Sequence, residues 1–437
     1  MPKALVLIDP LDPLFISYRQ SDGTDIAREA AWLLRSAGIP VWRDRDDQPP
    51  GDTDQRLAQA IEEGISGAVL VITPEIAASR VVRMVEAPRL IALHEGYPQF
   101  ALGIANQVER EPGRLDYSAP DQLLERNPQT LTGVDQHATS RDGLLAVVRQ
   151  MTFHRVAQCR PLVAADAGAF RISIQTRNTP QVYDRTDSHL DVRVRPSQHE
   201  RLPSAEGLSD LKDTIAFLPD AVTRADARRV LITGGAHPSV AIALGAALPS
   251  SRIGEIAVLD QQGAEWVSGT EASFGSDNHI RVVSEGVSSG APSGRPAVAV
   301  FLDLMETSSP AAFERLLEES AGSFVAWKHL GRATQGLVDP ADAGELAAQA
   351  AAYIRRASTE NDNAEIHLAF RGPFPMAVLA GRLTNTLRVV AYEWDDSDPA
   401  DGVDWRPRYV PSLDLRTSTG SGVIRKVMLS GTPLAGG

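Results

Sequence analysis

The sequence predicts an α/β protein built in two parts, and three observations carry that reading. Over roughly residues 14–100, short apolar runs alternate with amphipathic stretches about ten residues long, the pattern of βαβ units on a parallel sheet. The chain has 437 residues, more than one hydrophobic core usually serves. A third observation is a weak internal echo, in which segments between residues 229 and 266 return in the same order between residues 366 and 405.

The elements follow in order. Leu14 to Ser17 is a short apolar run that breaks into Tyr18, Arg19 and a polar turn, so it reads as a strand. Ile26 to Ser36 reads as an amphipathic helix stopped by Ala37-Gly38, and Val41-Trp42 as a second strand. After the turn-rich stretch DRDDQPPGD come a helix over Thr53 to Glu63 and a continuous apolar strand over Ala68 to Ile72. From about Ala105 to Ser140 the text is polar and proline-bearing, and a helical pattern then spans Asp142 to Gln158. Pro161 ends that pattern, which places a domain boundary near residue 160 and gives domains 1–160 and 161–437. In the second domain Arg229 to Thr233, Gly234-Gly235, an Ala-rich helix through Gly245 and a strand over Ile256 to Leu259 are matched by Ile366 to Phe370, Arg371-Gly372, an Ala-rich helix through Gly381 and a strand over Val389 to Tyr392. Two similar α/β halves leave a pocket between them.

Composition excludes several classes. A net charge of −13 argues against non-specific binding to DNA or to an anionic membrane, both of which need broad basic surface. The single cysteine, Cys159, forms no intrachain disulfide and fits a reducing, cytoplasmic compartment. Ala4 to Ile8 is shorter than the apolar stretch of a signal peptide, roughly 7–15 residues. Nine histidines and one cysteine lack HExxH, CxxC or HxH spacing, so no metal site is expected. Gly286-Val-Ser-Ser-Gly290 matches G-x-S-x-G but leads into Ala291-Pro-Ser-Gly294, a loop and not the helix a nucleophile elbow requires.

In open α/β sheets ligands bind beyond the carboxyl ends of the strands. Ser17, Tyr18 and Arg19 lie at one such end, and Asp44, Arg45 and Pro49-Pro50-Gly51 at the next. The third strand ends at Thr73-Pro74, followed by SRVVRMVEAPRL, in which Ser79 suits a helix cap. Glu86 lies two turns beyond Ser79 on the same face, with Arg83 one turn before it. Pro88 crowds the Met84 carbonyl and interrupts the helix just past Glu86. By position alone Glu86 is either a solvated helix glutamate or a functional carboxylate.

The segments FISYRQSDG, VWRDRDDQPPGD and SRVVRMVE, in this order and spacing, resemble the landmark segments of Toll/interleukin receptor (TIR) domains, particularly bacterial ones that cleave NAD. The resemblance covers residues 14–100 and implies a flavodoxin-like parallel sheet. It implies Glu86 as the catalytic carboxylate, with Ser17, Tyr18, Arg19, Asp44, Arg45, Ser79 and Arg83 around the nucleotide, and NAD+ as substrate with no cofactor. One carboxylate suffices chemically, because nicotinamide departs neutral and needs no general acid; the remaining task is to hold the ribose and stabilise an oxocarbenium-like charge.

Downstream, VLITGGAHPSVAIALGAAL, AVAVFLDL and EIHLAFRGPFPMAVLAGRLTN with VVAYEWDD resemble SAVED domains, sensor modules of two fused CARF-like Rossmannoid halves in bacterial anti-phage systems. That resemblance implies binding of a cyclic oligonucleotide, commonly a cyclic trinucleotide such as cyclic tri-adenylate. Gly234, Gly235 and Gly372 allow close backbone approach, and the helix amino termini that follow offer amides to phosphates. Phe370, Arg371, Pro373, Lys328 and Arg388 are further candidates. Trp394 is either a core aromatic or a stacking platform for a base, and His237 before Pro238 either shapes the loop or touches ligand. Together the resemblances imply an NAD+ hydrolase switched on by a cyclic oligonucleotide made by a cognate cyclase, and assembled by self-association. Two rivals remain open: a TIR domain that only assembles, and an N-glycosidase acting on another substrate.

Overall fold

The computed structural model describes residues 8–42, 53–126, 130–177, 187–197, 201–269, 278–287, 295–396, 407–417 and 422–429. Asp44 and Arg45, and the loop they open, lie outside the described residues. By internal contacts the chain divides into two units, Met1–Ser173 with Thr179–Arg193 and Asp220–Ala227, and Ile174–Asn178 with Val194–Pro219 and Arg228–Gly437.

The first unit is built on β1 (Leu14–Ser17), α1 (Gln20–Ser36), β2 (Val41–Trp42), α2 (Thr53–Glu63), β3 (Gly67–Ile72), α3 (Ala87–Gly96), β4 (Ala101–Asn106), β5 (Gln136–Ala138) and α4 (Arg141–Gln158). The sheet order is β2-β1-β3-β4-β5 with every pair parallel, the flavodoxin-like arrangement. β3 reads GAVLVI and is buried at every position, as expected of a strand covered on both faces. Phe15, Trp42, Leu57, Leu70, Ile72, Leu90 and Phe100 pack into one core, and Ala27, Ala30, Ala31, Leu33 and Leu34 bury the inner face of α1. Gly103 of β4 lets α4 close on the sheet, since a Cβ there would overlap the end of the Met151 side chain.

Two differences from the sequence reading matter. The polar stretch after Arg19 is the first turn of α1 and not a loop: Gly23 N–H donates to the Arg19 carbonyl at 2.8 Å, and Asp22 is placed where the helix dipole favours an acid. The second is β4, whose small residues gave little strand signal. Its polar end is held by side chains, Asn106 Nδ2 donating to the Asp116 carbonyl at 2.9 Å and to Gln136 Oε1 at 3.0 Å.

The second unit carries mixed sheets. The last residues of β6 (Ala169–Gln175), Ile174 and Gln175, with β7 (Arg229–Gly235), α5 (Pro238–Ala247), β8 (Glu255–Leu259) and β9 (Glu265–Val267) form its first half, with β7 and β8 parallel and β8 and β9 antiparallel. Its second half holds β10 (Ile280–Val287), β11 (Ala297–Asp303), β12 (Ala326–Arg332), β13 (Glu365–Arg371), α6 (Phe374–Arg382), β14 (Arg388–Asp395), β15 (Arg408–Arg416) and β16 (Ile424–Val427). These strands form one sheet in the order β10-β12-β11-β13-β14-β15-β16, parallel in its centre and antiparallel at both edges. α5 and α6 correspond to the two Ala-rich helices of the sequence echo. Among the described residues no helix is long and apolar enough to cross a membrane.

Candidate functional site

The order of the first sheet changes direction between β1 and β3, and a cavity of about 310 Å³ lies at the carboxyl end of β1. Phe15 and Ile16 of β1 begin its wall, Ser17 ends the strand outside the lining, and Tyr18, Arg19, Gln20 and Ser21 carry the wall into the first turn of α1. Ser79, Val81, Val82 and Glu86 supply the opposite wall. Between β1 and α1 the backbone at Arg19 is extended, which turns the Tyr18 and Arg19 side chains to the cavity before the helix begins.

Glu86 reaches the cavity through an irregularity that Pro88 explains. Ser79 caps the segment, its Oγ accepting the Val82 N–H at 3.3 Å, and residues Val82–Glu86 then form a π-helical turn before α3 continues with Pro88 in its first turn. Pro88 lacks an amide and crowds the turn before it, and a widened turn absorbs both effects. The widened turn sets the Glu86 carboxylate against β1. Ser17 Oγ donates to Glu86 Oε2 at 2.6 Å, and both side chains are buried. The solvated-glutamate reading of Glu86 is thereby set aside.

Arg19 lines the cavity while pairing with Asp22 at 3.1 Å and Glu75 at 3.3 Å. Arg83 is not part of the cavity lining and pairs with Glu125. Gln20 and Val82 were not singled out from sequence; their placement depends on the helix starting at Gln20 and on the π turn.

In the second unit a cavity of about 880 Å³ opens at the carboxyl ends of β7 and β8. Thr233, Gly234, Gly235 and Ala236 form one side, and Pro373, Phe374 and Pro375 at the start of α6 form another. Gly234 has φ of +101°, and a Cβ there would overlap the Ile174 carbonyl oxygen, so the strand end admits only glycine. The remaining wall comes from Gln175, Arg177 and the turn Asp260 to Gly263 with Trp266. Asp260 organises that turn: Oδ1 accepts the N–H groups of Gln262 and Ala264 at 2.8 and 2.9 Å, and Oδ2 accepts Trp266 Nε1–H at 3.0 Å. The Trp266 indole, followed by the backbone amides, holds the Asp260 carboxyl below its ordinary value. Asp260 and Trp266 belong to the sequence echo, in which Asp404 and Trp405 recur, and that recurrence was the available signal for them.

Of the residues named from sequence, Gly234, Gly235 and Pro373 line this cavity. His237 is buried behind it: the Thr176 hydroxyl accepts the His237 N–H at 2.8 Å and lies 2.8 Å from Nδ1. Phe370 is a core side chain, and Gly372 fits where a Cβ would press on the Phe370 ring. Arg371 pairs with Asp303 at 3.1 Å and donates to the Thr307 carbonyl at 2.6 Å. Lys328 pairs with Glu285 at 2.8 Å and Glu360 at 3.5 Å. Arg388 opens β14 opposite Arg416, and Trp394 lies on β14 opposite Tyr409 with 43% of its surface exposed, so it is not a core aromatic.

The amino terminus of α5 does not offer its amides freely. Pro238 has none, and the Ser239 N–H donates to Glu393 Oε1 of β14 at 2.8 Å. Glu393 is fully enclosed; burial pushes its carboxyl up to about 7, against the opposing pull of the Ser239 hydrogen bonds and of Arg177. An internal carboxylate occupies the position in which the sequence reading placed a phosphate.

Residues 14–109 match the family model of the TIR domain, and residues 210–415 match that of the SAVED domain, the SMODS-associated and fused to various effectors sensor domain. The chain carries a TIR domain over residues 14–109 and a SAVED domain over residues 210–415. Among solved structures it is similar to the Cap4 SAVED/CARF-domain containing receptor of Acinetobacter baumannii with the cyclic trinucleotide 2'3'3'-cAAA, at 12% identity over 91% of this chain and 99% of that chain, with a TM-score of 0.43. It is also similar to the Cap4 SAVED/CARF-domain containing receptor of Moraxella osloensis, at 13% identity over 89% of this chain and 97% of that chain, with a TM-score of 0.38. No curated protein matches the chain. The smaller cavity thus belongs to the TIR domain, and the larger one lies in the SAVED domain.

Proposed function

We propose that the chain is an NAD+ glycohydrolase whose TIR domain, residues 1–160, is switched on when its SAVED domain, residues 161–437, binds a cyclic oligonucleotide. The observation that carries the catalytic half is the buried Ser17–Glu86 hydrogen bond of 2.6 Å beside a cavity at the switch point of a parallel sheet. A carboxylate held there stabilises positive charge developing at the ribose carbon as the nicotinamide bond breaks. Water adds to that carbon, nicotinamide leaves neutral, and ADP-ribose and a proton are the other products. α1 begins at the same cavity, with Gln20 and Ser21 in its lining, and a helix amino terminus there suits the pyrophosphate. Asp44 and Arg45 complete the proposed nucleotide site.

The regulatory half rests on the large SAVED cavity, whose volume of about 880 Å³ suits a ligand larger than a mononucleotide. Gly234, Gly235 and Pro373 bring backbone close to the ligand and Arg177 supplies charge, while Trp394, outside that lining, is exposed and is the proposed stacking platform for a base. A cyclic trinucleotide is the proposed activator, and NAD+ loss in an infected bacterial cell the proposed outcome in anti-phage defence. Release of fluorescence from an etheno-NAD analogue by the purified chain, with and without cyclic di-, tri- and tetranucleotides, tests the reading. Turnover with a cyclic trinucleotide is expected; no turnover with any activator would leave an assembly adaptor, and cleavage of a different nucleoside would leave another N-glycosidase.

A further inference from the structure

A second cavity of the SAVED domain, of about 360 Å³, lies at the carboxyl ends of β11 and β12 beside the edge strand β10. Its ionisable lining is Arg281, His329 and Arg332 against Asp303 and Glu306. Asp303 is already committed: besides its pair with Arg371, it accepts the Met305 N–H at 3.2 Å and both the Ser308 hydroxyl and the Ser309 N–H at 3.1 Å. The balance left in the lining is therefore cationic, within a chain of net charge −13.

Among the described residues, two buried nitrogens in this lining have no hydrogen-bond partner, His329 Nε2 and Arg332 Nε. His329 is 4% exposed and its ring stacks on Phe301 at 4.8 Å, which holds the imidazole in place. Arg332 is anchored on its own loop through the Gly336 and Leu337 carbonyls, and Arg281 Nε donates to the Arg332 carbonyl at 3.0 Å. Both guanidinium groups are thus fixed at one end of the β10–β12 pair. A buried guanidinium donor such as Arg332 Nε–H is costly to leave unmatched, and fixed guanidinium groups match the oxygens of a phosphate. Bare phosphate would fill little of the space, whereas the half-exposed Met305 side chain offers apolar surface to an attached group.

We propose that this cavity is a second ligand site of the SAVED domain and takes a phosphate monoester of mononucleotide size, its phosphate on Arg281 and Arg332 and its remainder toward His329 and Met305. The site is separate from the glycine-lined cavity of β7 and β8, with which it shares no lining residue. Calorimetric titration of the full chain with inorganic phosphate, ribose 5-phosphate and AMP tests it, using Arg281→Glu, His329→Phe and, as a control in the other cavity, Trp266→Ala. Saturable binding of AMP or ribose 5-phosphate is expected, weakened about tenfold or more by Arg281→Glu and by His329→Phe and unchanged by Trp266→Ala. Arg281 is exposed, so its substitution should leave the melting temperature in place and make the loss of binding interpretable. Absence of saturable binding, binding that survives both substitutions, binding lost only in Trp266→Ala, or phosphate binding as tight as that of either monoester would each overturn the proposal.

Discussion

Gly245 of α5 and Gly381 of α6 meet at one helix crossing, each replacing the side chain that would strike the other helix. A Cβ on Gly245 would overlap the Val378 carbonyl oxygen, and a Cβ on Gly381 would overlap the Ile242 carbonyl oxygen. The two contacts have the same offset in sequence, so the crossing is a local pseudo-twofold relating the halves of the SAVED domain. Gly245→Val or Gly381→Val forces the helices apart and should cost ~3 kcal/mol or more. The amino ends of these helices adjoin the larger cavity, so a melting curve should show the destabilisation and activator binding should weaken with it.

Glu86→Gln keeps the shape of the side chain and its capacity to accept the Ser17 hydrogen bond but removes the charge. Nicotinamide release should fall by at least about a hundredfold while activator affinity stays unchanged. Ser17→Ala should give a smaller loss, since it frees the carboxylate without removing it. Near-normal turnover in Glu86→Gln would refute the catalytic assignment.

The two SAVED tryptophans should separate by readout. Trp394→Ala removes an exposed indole and should leave the melting temperature nearly unchanged while weakening activator binding by roughly 1–3 kcal/mol if a base stacks there. Trp266 is 5% exposed and donates to Asp260, so Trp266→Ala should lower both stability and affinity. Unaltered activator binding in Trp394→Ala would remove that residue from the ligand site.

Glu393 predicts a pH effect. Its folded value of about 7 lies above the ordinary 4.5, so between these values the folded chain holds a proton that the unfolded chain has lost. Its contribution is fully present below about 4.5 and is lost as pH rises through about 7. Glu393→Gln retains an acceptor for the Ser239 N–H without the titration. From pH 4.5 to 8 the wild type should therefore lose ~3 kcal/mol relative to this variant, measurable by denaturant unfolding across that range.

Assembly is testable by concentration. If neighbouring TIR domains complete one another's nucleotide sites, activity per molecule should rise with protein concentration, light scattering should rise with activator, and charge reversal at Asp46 or Asp47 should lower both. A fully active monomer with activator bound would end this idea. Asp46 and Asp47 lie outside the described residues, so the prediction rests on the sequence reading of that loop.

The sequence by itself determined the strands Leu14–Ser17 and Val41–Trp42, the helix Thr53–Glu63 and the duplicated Ala-rich helices, because alternation, apolar runs and proline or glycine stops act locally. It also brought Glu86, Ser17 and Ser79 forward as a group. Only the tertiary structure decided what those groups touch. Glu86 meets Ser17 because a π turn ahead of Pro88 redirects it across 69 residues of sequence, and Arg83, one turn away, is drawn instead to Glu125. Likewise the Ser239 amide of α5 is claimed by Glu393, 154 residues distant, and Arg371 and Lys328 are claimed by acids far from them in sequence. Local pattern fixes where an element starts and which face is apolar; which buried charge meets which donor depends on pairs far apart in the chain, and those pairs exist only once the sheets have formed.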